Sequence, residues 1–222
     1  THHGPTLEPG CGRGVFMALA PAGSTVTGVE LDATTAQVAE ARFAGRHEVI
    51  HGSFADVPLA NGQVAATIGN VPFGAYRLFD QTDNPGRRLS IHDHFLAKSA
   101  RALAPGGIGV MVTSRYTMDA IDPAGREAIG AHADFVGAVR LPSAAHVQEA
   151  GCEVVTDIIV LRGRAEGTVA SHVSGFTEPA PADIDGVRMS QYFVDNPGQV
   201  LGQVTSRTGR YSTPEMHIGG TL

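Results

Sequence analysis

The chain has 222 residues, a formal net charge of −6 and a hydrophobic fraction of 42%. That is enough for one full domain with an appendage, or two small domains, and no apolar run is long enough to span a membrane. The acidic balance gives no overall basic stripe of the kind nucleic-acid binders carry, although a local patch matters more than the total.

Taken in chain order, residues up to about Arg164 alternate apolar strands with helical stretches. "TVTGVEL" (25–31) predicts a strand, and "TTAQVAEARFAG" (34–45) a helix that stops at Gly45. "HEVIHGSF" (47–54) and "QVAATIGNVPF" (63–73) read as strands. "SIHDHFLAKSARALAPGG" (90–107) reads as a helix, with Ile91, Phe95, Leu96, Ala100 and Leu103 on one face and Pro105-Gly106-Gly107 as its stop. "IGVMVTS" (108–114) is a strand buried on both faces, and "EAIGAHADF" (127–135) a short helix. "VGAVRLP" (136–142) and "EVVTDIIVLRGR" (153–164) are strands joined by a short loop, hence an antiparallel pair. The expected fold is α/β: an open, mostly parallel, Rossmann-like sheet with helices on both faces and a C-terminal antiparallel hairpin strand, followed by a short irregular tail. In the tail, "TEPAPADIDG" (177–186) reads as a linker, "MSQYFVDNPGQVLGQ" (189–203) as a short helix and turn, and "TPEMHIGGTL" as aperiodic.

Sheets of this kind bind ligands beyond the carboxyl ends of their strands. Four motifs fall there. "LEPGCGRG" (7–14) has glycines at 10, 12 and 14, which let the backbone turn sharply and approach a ligand, or merely make a tight strand-to-helix connection. The spacing is not G-x-G-x-x-G, and no GK[ST] is present, so neither a pyrophosphate loop nor a triphosphate loop is indicated. Glu30 in "GVELD" ends the next strand, where an acid grips ribose hydroxyls or is simply solvated. In "HGSFADV" (51–57), Phe54 covers an adenine ring or fills the core, and Ser53 or Asp56 contacts the amino group. "GNVPFG" (69–74) ends a strand with an amide side chain, a carbonyl, a proline and an aromatic ring, a grip for a flat polar ring or an ordinary turn.

In this order and at these intervals, "EPGCGRG", "GVELD", "GSF" and "NVPF" resemble the S-adenosylmethionine-dependent DNA methyltransferases that modify N6 of adenine. The stretches "IHDHFLAKSARALAPGGIGVMVTS" and "RLPSAAHVQEAGCEVVTDIIVLRGR" are similar to a subgroup attached to large helicase–methylase proteins, and "YFVDNPGQVLG" (192–202) looks like a segment that follows the core there. The resemblance covers roughly residues 6 to 165 and implies a methyltransferase core over 1–165 and a linker and tail over 166–222. It implies S-adenosyl-L-methionine as cofactor, DNA as substrate and helicase-like domains of a longer chain as partners. It also implies a lid segment ahead of the Gly-rich loop, and on that resemblance the chain is expected to be a piece without it.

Carried over residue by residue, Asn70, Val71, Pro72 and Phe73 would hold the target base. Glu8, Pro9, Gly10, Gly12 and Gly14 would bound the methionine end of the cofactor, Glu30 and Leu31 its ribose, and Ser53 and Phe54 its adenine, with Asn70 shared. The chain departs from the family where Val71 replaces a proline and Ser53 an acid. The same Asn-x-Pro-aromatic grip serves protein glutamine and RNA methylases, and a non-catalytic module of a helicase-like protein is a further alternative.

Other residues read more plainly. His92 and His94 do not share a helix face and read as surface residues rather than metal ligands. Cys11 reads as a small filler, and Cys11 and Cys152 make neither a metal spacing nor a disulfide framework, which points to a reducing cytoplasm. Lys98 is the only lysine, the mark of a GC-rich, bacterial genome. "AHVQEAGCE" (145–153) is a polar loop at the active edge or a plain hairpin connection, and Arg162 and Arg164 face phosphate or solvent.

Overall fold

The computed structural model describes residues 4–84, 86, 88–178, 182–184, 186–209 and 213–220. The first half builds β1 (Thr6–Pro9), α1 (Val15–Leu19), β2 (Val26–Glu30), α2 (Ala33–Phe43), β3 (Glu48–His51) and β4 (Val64–Asn70). A small hairpin, β5 (Arg77–Leu78) and β6 (Leu89–Ser90), leads into α3 (Ile91–Ala102) and β7 (Leu103–Ser114). Then come α4 (Tyr116–Asp119), α5 (Ala124–Gly130), β8 (Ala133–Arg140), α6 (Val147–Ala150) and β9 (Thr156–Gly163).

Among the described residues, seven strands form one sheet in the order β3-β2-β1-β4-β7-β9-β8. The pairs β1–β2, β2–β3, β1–β4 and β4–β7 are parallel. β9 runs antiparallel between β7 and β8, which is the expected closing hairpin. The chain order reverses at β1 and β4, so their carboxyl ends, Pro9 and Asn70, flank the switch point where such sheets bind ligands.

Local chemistry sets the helices. Asp32 caps α2 by accepting the Thr35 N–H at 2.8 Å, and Ala36, Ala39 and Phe43 form its buried stripe. Ser90 and Asp93 cap α3 reciprocally: the Asp93 N–H donates to Ser90 Oγ, whose hydroxyl donates to Asp93 Oδ2 at 2.6 Å. Along β2, Val26 belongs to a small core with Cys11, Met17 and Phe43, whereas Val29 belongs to the main core with Leu7, Phe95 and Leu96. The strand thus buries both faces, as a sheet covered by helices on each side requires.

Two readings of α3 need correction. The helix ends at Ala102, and Leu103 already pairs with Val64, so the Pro-Gly-Gly segment lies within β7 rather than ending the helix. His92 and His94 are buried, not on the helix surface, because the 79–84 segment and α5 cover that side. The short helix expected over 127–135 sits earlier, and Ala133–Phe135 already belong to β8.

Beyond Arg164 the chain forms more elements than its composition suggests. β10 (Ala182–Ile184) and β11 (Val187–Met189) make one hairpin, α7 (Gln191–Asp195) follows, and β12 (Gln203–Thr208) and β13 (Pro214–Gly219) make another. Of the stretch read as a linker, residues 179–181 and 185 lie outside the described residues. Phe176, Tyr192, Phe193, Met216 and Ile218 are buried in the same core as Phe135, and Phe135 stacks on Phe176 at 4.4 Å.

Candidate functional site

At the carboxyl edge of β1, β2 and β4 lies a cavity of about 310 Å³. Of the proposed cofactor residues, Gly10, Glu30, Leu31, Ser53, Phe54 and Asn70 line it. Glu8, Pro9, Gly12 and Gly14 do not, and shape the loop beside it. Gly10, Gly12 and Gly14 have φ of 69°, 55° and 75°, left-handed values that disfavour any side chain. A Cβ on Gly14 would lie 2.3 Å from the Phe43 ring, whereas one on Gly12 would meet nothing within 4 Å. Gly14 is therefore a packing glycine and Gly12 an open one.

Glu8 is buried, and its Oε2 accepts the Met17 N–H at 2.9 Å, tying β1 to the first turn of α1. Burial pushes its carboxyl pKa up to about 7 against the lowering effect of the Met17 and Phe16 backbone bonds. Burial, with the Glu8 and Glu30 charges, pushes the Cys11 thiol up to about 12. A thiol so held is protonated and matches the filler reading. Glu30 accepts the Gly12 N–H on Oε2 and the Asp32 N–H on Oε1.

Ser53 caps the short turn Phe54–Asp56, and its Oγ accepts the Ala55 N–H at 3.3 Å. Phe54 is at once a core residue and a cavity wall: it packs against Phe95 at 4.8 Å between ring centres. Asp56 is exposed and does not line the cavity.

The Asn70–Phe73 turn spans two compartments. Among the described residues, the Asn70 side chain makes no hydrogen bond and borders the smaller cavity. Val71 is buried, and its N–H donates to the Val112 carbonyl at 3.0 Å, which locks the turn to β7. Pro72 also borders the smaller cavity, and a Cβ on Gly10 would meet its Cδ at 3.5 Å, so the glycine loop and the turn are in contact range. Phe73 is 40% exposed and lines a neighbouring groove of about 640 Å³.

That larger groove went unrecognised in the sequence, as did Tyr76, Leu78, Ile91 and Phe95 in the smaller cavity. The groove is bounded by Arg77 and Arg88, by Ser114, Arg115 and Tyr116 at the end of β7, by Glu153–Thr156 at the start of β9, and by Glu215 and Met216 of β13. Glu153 belongs to the polar 145–153 loop, which therefore reaches the site edge. Arg162 and Arg164 do not line the groove; both pair with Asp134, and the Arg162 side chain stays 51% exposed. A tyrosine three residues after Phe73 was the available sequence signal for Tyr76.

The profile of a methyltransferase domain family matches residues 7–70. No curated protein matches the chain. A protein assigned as a modification subunit of a type I restriction enzyme, from Vibrio vulnificus, superposes with a TM-score of 0.59 at 13% identity, covering 96% of this chain and 54% of that one. A protein assigned as a class I S-adenosylmethionine-dependent methyltransferase, from Listeria monocytogenes, superposes at 0.57 with 16% identity, covering 79% of this chain and 60% of that one. A third, from Methanosarcina mazei, gives 0.52 at 14% identity, covering 75% of this chain and 95% of that one. The chain thus spans less than two thirds of the Listeria and Vibrio proteins. The fold is that of S-adenosylmethionine-dependent methyltransferases, and S-adenosyl-L-methionine is the expected cofactor. The smaller cavity fits such a group: it offers close backbone approach at Gly10, a carboxylate at Glu30 and an aromatic wall at Phe54. Among the described residues, no helix is long and apolar enough to cross a membrane.

Proposed function

We propose that the chain is a DNA adenine N6-methyltransferase that acts on a flipped-out base. The observation that carries this reading is the Asn70–Phe73 turn, whose first residue borders the smaller cavity while its last lines the larger groove. The Vibrio neighbour, assigned as a modification subunit of a type I restriction enzyme, supports the same substrate class.

An exocyclic adenine amine is a poor nucleophile because its lone pair is delocalised into the ring. Bound S-adenosyl-L-methionine supplies an electrophilic methyl on a sulfonium. The Asn70 side-chain oxygen and the Val71 carbonyl accept hydrogen bonds from the amine and localise electron density on its nitrogen. Pro72 stiffens the turn, and Phe73 stacks on the base, worth about 1–3 kcal/mol against an extrusion cost of a few kcal/mol. Positioning governs the in-line transfer, and the surplus proton leaves to water afterwards. On the sequence resemblance, helicase-like domains of a longer chain would present the DNA.

The test is expression in a host lacking adenine methylation, with N6-methyladenine quantified by mass spectrometry of digested DNA. Methyladenine from the wild type and none from Asn70→Ala is the expected result. None from either overturns the reading for this chain; methylated glutamine or RNA instead redirects it to those substrates.

A further inference from the structure

The only lysine in the chain is fully buried. Lys98 is 2% exposed in the middle of α3. Its Nζ donates to the Ala55 carbonyl and to Asp80 Oδ2, each at 2.9 Å, lies 3.5 Å from Asp83 Oδ2, and stands 5.3 Å from the centre of the Phe54 ring. His94 and Arg101 share its helix face. His94 Nδ1 lies 3.1 Å from the Asn84 amide nitrogen, and Arg101 pairs with Asp83 and donates to the Leu59 carbonyl at 2.9 Å. The Asp80 carboxylate in turn accepts the Thr82 and Asp83 N–H groups at 2.9 and 3.0 Å.

An aliphatic side chain would fill this space without the several kcal/mol that an ion loses on leaving water. What the ammonium adds is a link between two segments that, among the described residues, no backbone hydrogen bond joins. One is the 53–56 turn, which carries Ser53 and Phe54 on one wall of the smaller cavity. The other is the 76–84 segment, which carries Tyr76 and Leu78 on another wall. Lys98 contacts the first at Ala55 and the second at Asp80, from a rigid helix behind both.

We propose that Lys98 is a positioning residue for the cofactor: it fixes Phe54 and the 76–84 segment at the separation that the cofactor's nucleobase requires. This rests on the smaller cavity being the S-adenosyl-L-methionine site. It adds a residue behind that site, acting through the Ala55 carbonyl and the face of Phe54.

The test is a double-mutant cycle on cofactor-product affinity, with S-adenosylhomocysteine titrated calorimetrically into the full chain. Lys98→Met weakens binding at least tenfold in the wild type, and by a clearly smaller factor in the Phe54→Leu background, because the two variants share the Phe54 wall. A Lys98→Met affinity equal to wild type, or losses that multiply independently, overturns the inference. Failure of the wild type to bind at all overturns the cofactor reading and this inference with it. A measurement needing no variant reads the same link. Saturating S-adenosylhomocysteine slows amide hydrogen exchange over 53–57 and 80–84 together; protection of 53–57 alone overturns the inference.

Discussion

The carboxylate of Glu30 holds the glycine loop through Gly12. The Gly12 N–H donates to Glu30 Oε2 at 2.9 Å, from a residue 18 positions earlier in the chain, while the Asp32 N–H donates to Oε1 at 2.8 Å. One acid at the end of β2 therefore fixes the open turn of the loop and the start of α2. The ribose contact proposed for Glu30 uses a side chain already oriented by its own backbone, so little rotamer entropy is lost on binding. Glu30→Ala is expected to weaken S-adenosylhomocysteine binding at least tenfold. Glu30→Gln, which keeps an acceptor but loses the charge, falls between. Calorimetric titration of the three proteins checks the order.

Phe73 separates recognition of the base from stability. With 40% of it exposed, it is not a core residue, so Phe73→Ala should change the stability read from urea denaturation by less than about 0.5 kcal/mol. Loss of stacking worth about 1–3 kcal/mol should lower kcat/KM for DNA by roughly five- to 150-fold. S-adenosylhomocysteine affinity should hold, since Phe73 lines the larger groove and not the smaller cavity. Steady-state kinetics beside a binding titration tests both halves.

What was legible in the sequence, and what was not, divides along physical lines. Gly10, Gly12, Gly14 and the Asn70–Phe73 turn are readable because they break local rules: glycines in a row of alternates, and Asn and Pro ending an apolar strand. Strand alternation with helices is readable because it is periodic. Lys98, His92 and His94 were illegible as interior residues because their types favour the surface, and only the fold supplies Asp80 to meet Lys98 and Asn84 to meet His94. The β12–β13 hairpin was illegible because its buried set, Met216 and Ile218, is too short an alternation to stand out between Pro214 and Gly219. The larger groove was illegible because it is assembled from segments as distant as Phe73, Tyr116 and Glu215.

Glu8 should write its burial into the pH dependence of stability. Its folded pKa, about 7, lies above the model-compound value of 4.5. The folded state therefore binds the proton more tightly than the unfolded chain. The stability this contributes is fully present below about pH 4.5 and is lost as pH rises through about 7. Glu8→Gln keeps an acceptor for the Met17 N–H and removes the titration. The variant's stability relative to wild type should rise between pH 4.5 and 7.5, by on the order of 2 kcal/mol, then level off. Urea denaturation of both proteins across that range measures it, and a pH-independent difference would show that the carboxyl does not titrate in the fold.

A second buried ion cluster joins the tail to the sheet, and its loss should be felt as lost folding rather than lost chemistry. Arg140 at the end of β8 is fully buried and donates to Asp157 Oδ1 at 2.8 Å, to Asp157 Oδ2 at 2.9 Å and to Asp119 Oδ1 at 2.9 Å. Its guanidinium also lies 4.3 Å from the centre of the Phe193 ring and 3.2 Å from Met216 Sδ, both tail residues. Asp119 completes the clasp by accepting the Ser190 N–H at 2.8 Å and the Arg115 guanidinium at 3.0 Å. Removing one member of such a cluster leaves buried charge and a buried N–H without partners, a loss of about 3–5 kcal/mol. Asp119→Ala is therefore expected to lower stability by that amount and to expose the 187–216 segment to limited proteolysis before the sheet is cut. Arg162→Ala offers the contrast: its partner Asp134 keeps Arg164, and its own side chain is 51% exposed, so it should change stability by less than about 1 kcal/mol. Equal losses in the two variants would mean that the tail is held by apolar burial around Phe176 and Phe193 and not by the charges.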